Sequence, residues 1–295
     1  MSPSVLTSGL PIEATDKEAA IKRNPHRNWE TIQASRPNYD SSHFWAPSKT
    51  PVPTWNVGDG SSSDDWKQYR RLNISPDDDD RTNVQNYKLM ISTTVPRPVA
   101  LVTTVGKDGV SNMAPFSYFQ NVCTDPPLYS LSLVGEEPND TLRNILDTKE
   151  CTLNIISDWF IEAANFSSAN TPPHQSEWPM TGLTPSPSQM IRPASVAESA
   201  FSAECKLHSY QDIFNKKGTR MATLVLLEAV MWHVREDMVA KDALKATVDL
   251  KLLRPVWRGG GIIYGTCFQG FELPRPEAWR KVLEESEVAR RLSSA

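Results

Sequence analysis

Pro96-Arg-Pro-Val-Ala-Leu-Val-Thr-Thr-Val105, Gly106-Lys-Asp-Gly109, Val110-Ser-Asn-Met-Ala-Pro-Phe-Ser-Tyr-Phe-Gln-Asn-Val122 and Asp125-Pro-Pro127 leading into Leu128-Tyr-Ser-Leu-Ser-Leu133 decide the fold. They read as a strand, a tight turn, a second strand and a third. Val99, Leu101, Thr103 and Val105 share one face of a pleated segment, while Ala100, Val102 and Thr104 share the other. Asp108-Gly109 supplies the positive φ that a hairpin needs. Beyond the turn, a proline cannot serve a central ladder, so Pro115 predicts a bulge or bend where backbone N–H groups face something other than the next strand.

Asn112-Met-Ala-Pro-Phe-Ser-Tyr-Phe119, preceded by Pro96-Arg-Pro-Val-Ala100 and followed by Asp125-Pro-Pro127, resembles the signature of the flavin reductase-like family, the FMN-binding split barrels. Further segments match in the expected order: Asp140-Thr-Leu-Arg-Asn-Ile145, Asn154-Ile-Ile156, Glu204-Cys-Lys-Leu207, and Leu253-Arg-Pro-Val256 followed by Arg258-Gly-Gly260 and Tyr264-Gly265. The resemblance covers roughly residues 85 to 276, and the ordered set is far more specific than any one motif. It implies an all-β fold, an antiparallel FMN-binding split β-barrel of Greek-key type with peripheral short helices. Relatives commonly carry different residues where this chain has Gln120-Asn-Val-Cys123, Leu227-Glu-Ala-Val230 and Trp257.

Three regions are expected. Residues 1–82 read as an extended Pro/Ser/aromatic arm and acidic linker, 83–276 as the split-barrel domain, and 277–295 as an amphipathic C-terminal helix carrying Trp279, Val282, Leu283 and Val288 on one face. The arm keeps Trp29, Tyr39, Phe44, Trp45 and Trp55, large aromatics favoured where they can be buried, so it is expected to wrap the barrel or its dimer mate. The run Asp77-Asp-Asp-Asp80 lacks ligand spacing and reads as solvated linker. Asn86-Tyr-Lys-Leu-Met-Ile91 enters the domain as a short helix or strand. Asn139 or Asp140 caps a helix with Leu142, Ile145 and Leu146 at helical spacing. Cys151-Thr-Leu-Asn-Ile-Ile156 reads as a strand, Trp159 to Ala169 as a helix, 171–192 as a long lid-like loop, and Phe201 to Tyr210, Met221 to Val234 and Gly261 to Phe268 as the remaining strands. No helix suits a βαβ crossover between most neighbours, and Gly-x-Gly-x-x-Gly is absent.

The formal net charge of −4 and pI near 5.8 offer no basic face for nucleic acid. The most apolar run, Met221 to Trp232, is interrupted by Glu228 and too short to span a bilayer. The first residues lack the basic and apolar regions of a secretory signal, and the four isolated cysteines suit mostly buried strand thiols in a reducing, cytoplasmic compartment.

A flavin site needs donors along the isoalloxazine edge, a grip on the phosphate and an apolar wall. In the resembling motif, Asn112 and the N–H groups near Ala114, Phe116 and Ser117 would supply donors, with Met113 and Pro115 in the same cofactor-binding stretch and Phe116 and Tyr118 as the wall. Ser132, Thr141 and Arg143, then Arg97 and Thr103, would hold the phosphate beside a helix N-terminus. Arg258-Gly-Gly-Gly261 either closes the pocket or forms a turn between strands. His233 reads as a satisfied core histidine, and neither catalytic nor metal-binding residues are assigned, because the cofactor carries hydride chemistry.

The implied function is oxidoreduction with FMN, and NADH or NADPH as reductant, in a homodimer that acts on a small-molecule substrate or supplies a flavin-dependent oxygenase partner. Two alternatives stay open: an FMN-dependent enzyme dedicated to one organic substrate, and a flavin-binding module without turnover.

Overall fold

The computed structural model describes residues 28–43, 45–172, 175–239, 247–275, 284 and 286–293. Phe44, Trp279, Val282 and Leu283, singled out above, lie outside the described residues. Two compact units share the chain: residues up to 39 with 98–234, and residues 40–97 with those from 235 onward. No helix of the described residues is long and apolar enough to cross a membrane.

The first unit holds a seven-stranded sheet. Its strands are β1 (Ala100–Val105), β2 (Ser111–Phe116), β3 (Phe119–Thr124), β4 (Pro127–Val134), β5 (Glu150–Ile155), β6 (Phe201–Phe214) and β7 (Arg220–Val234), in the spatial order β2-β1-β5-β6-β7-β4-β3. Every neighbouring pair is antiparallel. The β1–β2 turn runs as expected: Gly109 has φ 83°, and its N–H reaches Gly106 O at 3.1 Å.

The expected second strand is in fact two. Ser117 and Tyr118 interrupt it, and β2 and β3 become the two edges of the sheet. Consecutive in the chain yet unpaired with each other, these edges leave the sheet open at that corner. Most of the architecture is thus antiparallel sheet with short helices, although all-β is only approximate.

Helix α1 (Asp140–Thr148) starts where Asn139 accepts the Leu142 N–H at 2.9 Å and ends at Lys149, left-handed at φ 64°. Asn139 is therefore the cap. Leu142 and Ile145 enter the core with Ala100, Val102, Leu131, Leu133, Leu153, Val225 and Leu227. The helix read over Trp159 to Ala169 is a 3-10 turn, Asp158–Phe160, followed by α2 (Ile161–Phe166). The long loop contains a short helix, α3 (Trp178–Thr181), and a two-residue pairing of Pro185–Ser186 with Ser195–Val196. Cys151 and Cys205 face each other across β5 and β6 inside the core, where burial pushes both thiols up.

In the second unit, Asn83–Thr93 is a helix with a Thr82/Gln85 capping box, which decides between the helix and strand readings of its middle. Ala46–Ser48 pairs in parallel with Gln269–Phe271. Trp45 packs so closely on Gly270 that a Cβ there would lie 2.8 Å from its Nε1. Of the tryptophans expected to be buried, Trp29 and Trp55 remain about half exposed, at 50% and 51%. Trp55 turns its indole N–H onto Gly60 O within its own loop at 2.9 Å, and the Trp29–Ala34 helix buries no residue. Arg258-Gly-Gly-Gly261 is a turn between Val256–Arg258 and Tyr264–Thr266; the Arg258 guanidinium lies 4.2 Å from the Tyr264 ring centre.

Candidate flavin site

The β1–β2 ladder is regular from Ala100↔Phe116 to Val105↔Ser111, so no bulge accompanies Pro115. Antiparallel residues alternate between turning both backbone polar groups toward the partner and turning both away. The Met113 N–H points away, donating to Glu177 Oε2 at 2.9 Å. Ala114 and Phe116 consequently direct their N–H groups into the β1 ladder, which corrects the expectation that they face a ligand. Pro115 falls on the outward side of an edge strand, where a missing N–H costs no ladder bond. The outward parity passes through Met113 and Pro115 to Ser117.

Ala114, Pro115, Phe116, Ser117 and Tyr118 are half-buried, and Phe116 packs against the core cluster. Beyond the corner, Ser132 donates its N–H to Tyr118 O at 2.9 Å, which extends the β3–β4 ladder by one step and brings these two expected site residues together.

At the other end of β2 lies a cleft of about 320 Å³ bounded by the β1–β2 turn and by α1. Asn112 and Thr141 meet there: Asn112 Nδ2 donates to Thr141 Oγ1 at 2.8 Å and reaches Thr104 Oγ1 at 3.4 Å. Asn144 Nδ2 donates to Thr104 Oγ1 at 3.0 Å. Having accepted from Asn112, the Thr141 hydroxyl keeps its proton to donate. Gly106 permits the close approach of this turn, since a Cβ would stand 2.5 Å from Asp108 Oδ1 and 3.1 Å from Asn144 Oδ1. Arg143 lines the cleft, half-exposed, paired with Asp140 and donating to Pro138 O. Lys107 pairs with Asp147 at 2.9 Å on the same rim. Neutral amides and hydroxyls on the floor, with surface ion pairs that exchange partners at little cost, suit the ribityl and phosphate end of a flavin nucleotide.

Two expected phosphate ligands are committed elsewhere. Thr103 faces the opposite side of β1, where its hydroxyl shares a 2.5 Å hydrogen bond with Thr152 and contacts Ala194 O at 2.5 Å. Its neighbour Thr104, which sequence reading passed over, holds the cleft-side position. Arg97 is buried in the second unit; Nη1 donates to Ile91 O and Thr94 O and Nη2 to Gly259 O, while Nε has no hydrogen-bond partner among the described residues. Its three carbonyl contacts fasten a helix end to the Gly259 turn.

Two further carboxylates, one of them in the Glu204-Cys-Lys-Leu207 motif, were given no role by sequence reading. Glu177 is 4% exposed, and its Oε1 accepts from Thr171 Oγ1 at 2.5 Å. Glu204 is fully buried and accepts from His233 Nε2 at 2.6 Å, from Gln189 N–H at 2.7 Å and from Met190 N–H at 2.7 Å. Burial alone would raise the Glu204 pKa; these donors more than offset it and hold the group below its ordinary value. His233 is thus a surface-reaching partner of a buried carboxylate.

The flavin reductase like domain profile matches residues 92–247. Among solved structures, the chain is similar to nitrilotriacetate monooxygenase component B from Bacillus cereus, with 34% identity, TM-score 0.66, and 70% of this chain and 100% of that one covered. It is also similar to the Pseudomonas fluorescens 2-nitrobenzoate 2-nitroreductase NbaA, with 30% identity, TM-score 0.59, and coverage of 66% and 93%. A structure with a split barrel domain from Shewanella frigidimarina aligns at 25% identity and TM-score 0.57, covering 68% of this chain and 95% of that one.

Proposed function

Because the chain belongs to the flavin reductase-like family, we propose that it is an oxidoreductase that binds FMN and uses NADH or NADPH as reductant. The observation that carries this reading is that Asn112 and Arg143 line one cleft beside the start of α1, with Thr141 bonded to Asn112 just behind it, next to the edge strand that bears the family motif. The Thr141 hydroxyl and the Arg143 guanidinium would hold the phosphate end, with Asn112, whose amide protons go to Thr141 and Thr104, positioning that hydroxyl, and Asn144 held on the same Thr104 oxygen. Toward the open corner, the Ser117 N–H and the Tyr118 and Ser132 pair would border the ring. When bound, FMN supplies hydride acceptance, which asks orientation and exclusion of water from the protein and no acid or nucleophile.

A homodimer is part of the proposal. From Gln120 to Thr124, β3 is exposed on both faces and forms an edge, an arrangement that a second copy would cover. Sedimentation should show a dimer, and a monomer at micromolar concentration would remove this part.

The similarity to component B of a monooxygenase favours an oxygenase as recipient of the electrons. That to a nitroreductase favours the second reading, one organic substrate reduced in the same pocket. Anaerobic mixing of the FMN-loaded protein with NADH, and separately NADPH, separates them. Fast bleaching with turnover of added FMN supports the reductase. Bleaching no faster than free flavin under both nucleotides would eliminate it, leaving the substrate-specific enzyme or a module without turnover.

A further inference from the structure

We propose that Glu177 is a positioning residue that clamps residues 175–182 along the edge of β2 and so governs how ligands enter and leave the cleft beside it. The inference rests on the flavin reading above and adds a residue to it.

A carboxylate that is 4% exposed must find donors for both oxygens or a cation. Glu177 finds two donors, Met113 N–H at 2.9 Å and Thr171 Oγ1 at 2.5 Å, 64 and 6 residues away along the chain. The first is the backbone of the motif strand itself, on the side that no neighbouring strand pairs. The second is the hydroxyl of Thr171, a short way before Glu177 in the chain. Helices α2 and α3 both pack against β2, so the clamp lies where the segment meets the strand. Two residues before Glu177, Gln175 lines the cleft together with Asn112 and Arg143.

The clamp also covers an unpaired edge N–H that would otherwise be open to strand addition. A ligand oxygen arriving at Met113 could replace one of the two bonds but would leave a buried carboxylate half satisfied. The bond to Met113 therefore persists when the cleft fills, and the cofactor's ring draws on the Ser117 end of the strand instead. What varies with Glu177 is the roof over the cleft, and hence rates of entry and exit.

Glutamine suits the role almost as well as glutamate. Its carbonyl accepts from Met113 N–H, and its amide can donate to the Thr171 hydroxyl, which accepts as readily as it donates. Alanine can do neither. The test measures FMN dissociation from the full chain by recovery of flavin fluorescence, alongside amide hydrogen exchange at Met113 without flavin. Glu177→Ala should release FMN about ten-fold faster and lose Met113 protection, whereas Glu177→Gln should stay within about three-fold of the parent and keep it. Gln rescue is the outcome that a general loss of stability would not produce. Equal dissociation rates in parent and Ala variant, or equally fast release from Ala and Gln variants, would overturn the clamp. Absence of FMN binding by the parent chain would instead refute the flavin reading, while Met113 exchange would still report on the clamp. Should the Ala variant fail to fold, Thr171→Val removes one of the two bonds and should release FMN two- to three-fold faster, about 0.4 to 0.7 kcal/mol; an unchanged rate there counts against the proposal.

Discussion

The two faces of β1 carry similar side chains put to opposite uses. On one face, Thr103, Thr152, Asn154, Ser202 and Glu204 lie under segment 184–199 and spend their capacity on protein partners. Asn154 alone accepts from Val196 N–H and the Ser202 hydroxyl and donates to Leu101 O and Thr152 Oγ1. On the other face, Thr104, Asn112, Thr141 and Asn144 form a chain of shared bonds beside the cleft, with Arg143 held at the surface by Asp140 and Pro138 O. Residue type does not separate structure from site; the fraction of hydrogen-bonding capacity already consumed does.

Removing a consumed group should have the largest effect. Asn154→Ala strips the partners from several buried groups, each about 1–3 kcal/mol when left unsatisfied, so urea unfolding should show a loss of about 3–5 kcal/mol. A loss under about 1 kcal/mol would mean that segment 184–199 is held by something other than this polar layer.

Glu204 sharpens the same contrast through pH. Its folded pKa lies below the ordinary 4.5, so its contribution is present above that value and is lost as pH falls through the folded value. Glu204→Gln places an amide where backbone N–H groups point, and should cost about 2–3 kcal/mol near neutral pH. The gap between parent and variant should narrow as pH falls below 4.5 and through that lowered folded value. A gap independent of pH would show that packing, and not the charge, is what segment 184–199 recognises.

Arg143 tests the open face. Its pair with Asp140 is surface-exposed and worth about 0–1 kcal/mol, so Arg143→Ala should hardly alter unfolding. Loss of the proposed charged contact to the phosphate should nevertheless weaken FMN about ten-fold, near 1.4 kcal/mol. Titration of flavin fluorescence against the variant checks this, and unchanged affinity would place the phosphate elsewhere.

Much of this fold can be read from residue spacing. The β-branched run ending at Gly106, the Gly109 turn, the Asn139 cap and the buried Leu142 and Ile145 are local features, and local preference and tertiary packing agree on them. Pro115 shows how a correct rule can lead to a wrong geometry. It does mark a non-central strand, but the chain satisfies it with a plain edge and places the break at Ser117 and Tyr118. The site divides similarly: Asn112 and Thr141 came together, whereas Glu177 reached Met113 and Glu204 reached His233 through contacts that no local pattern encodes.

Thr103 against Thr104 is the smallest test and the most direct one for the comparison. Residues 100–104 are all buried, because β1 lies between two strands with α1 on one face and segment 184–199 on the other, so alternation gives two faces without saying which one meets the cleft. Valine removes either hydroxyl with little change of shape. Thr103→Val should cost about 1–2 kcal/mol of stability, by removing the buried hydroxyl that bonds both Thr152 Oγ1 and Ala194 O and leaving those two to their longer 3.4 Å contact with each other, and leave FMN affinity alone. Thr104→Val frees the Asn112 and Asn144 amides to turn away, and should weaken FMN about three-fold or more, about 0.7 kcal/mol. If Thr103→Val were the one to weaken FMN, the ligand would lie under segment 184–199, and the face whose hydrogen bonds are all spent on protein partners would be the site.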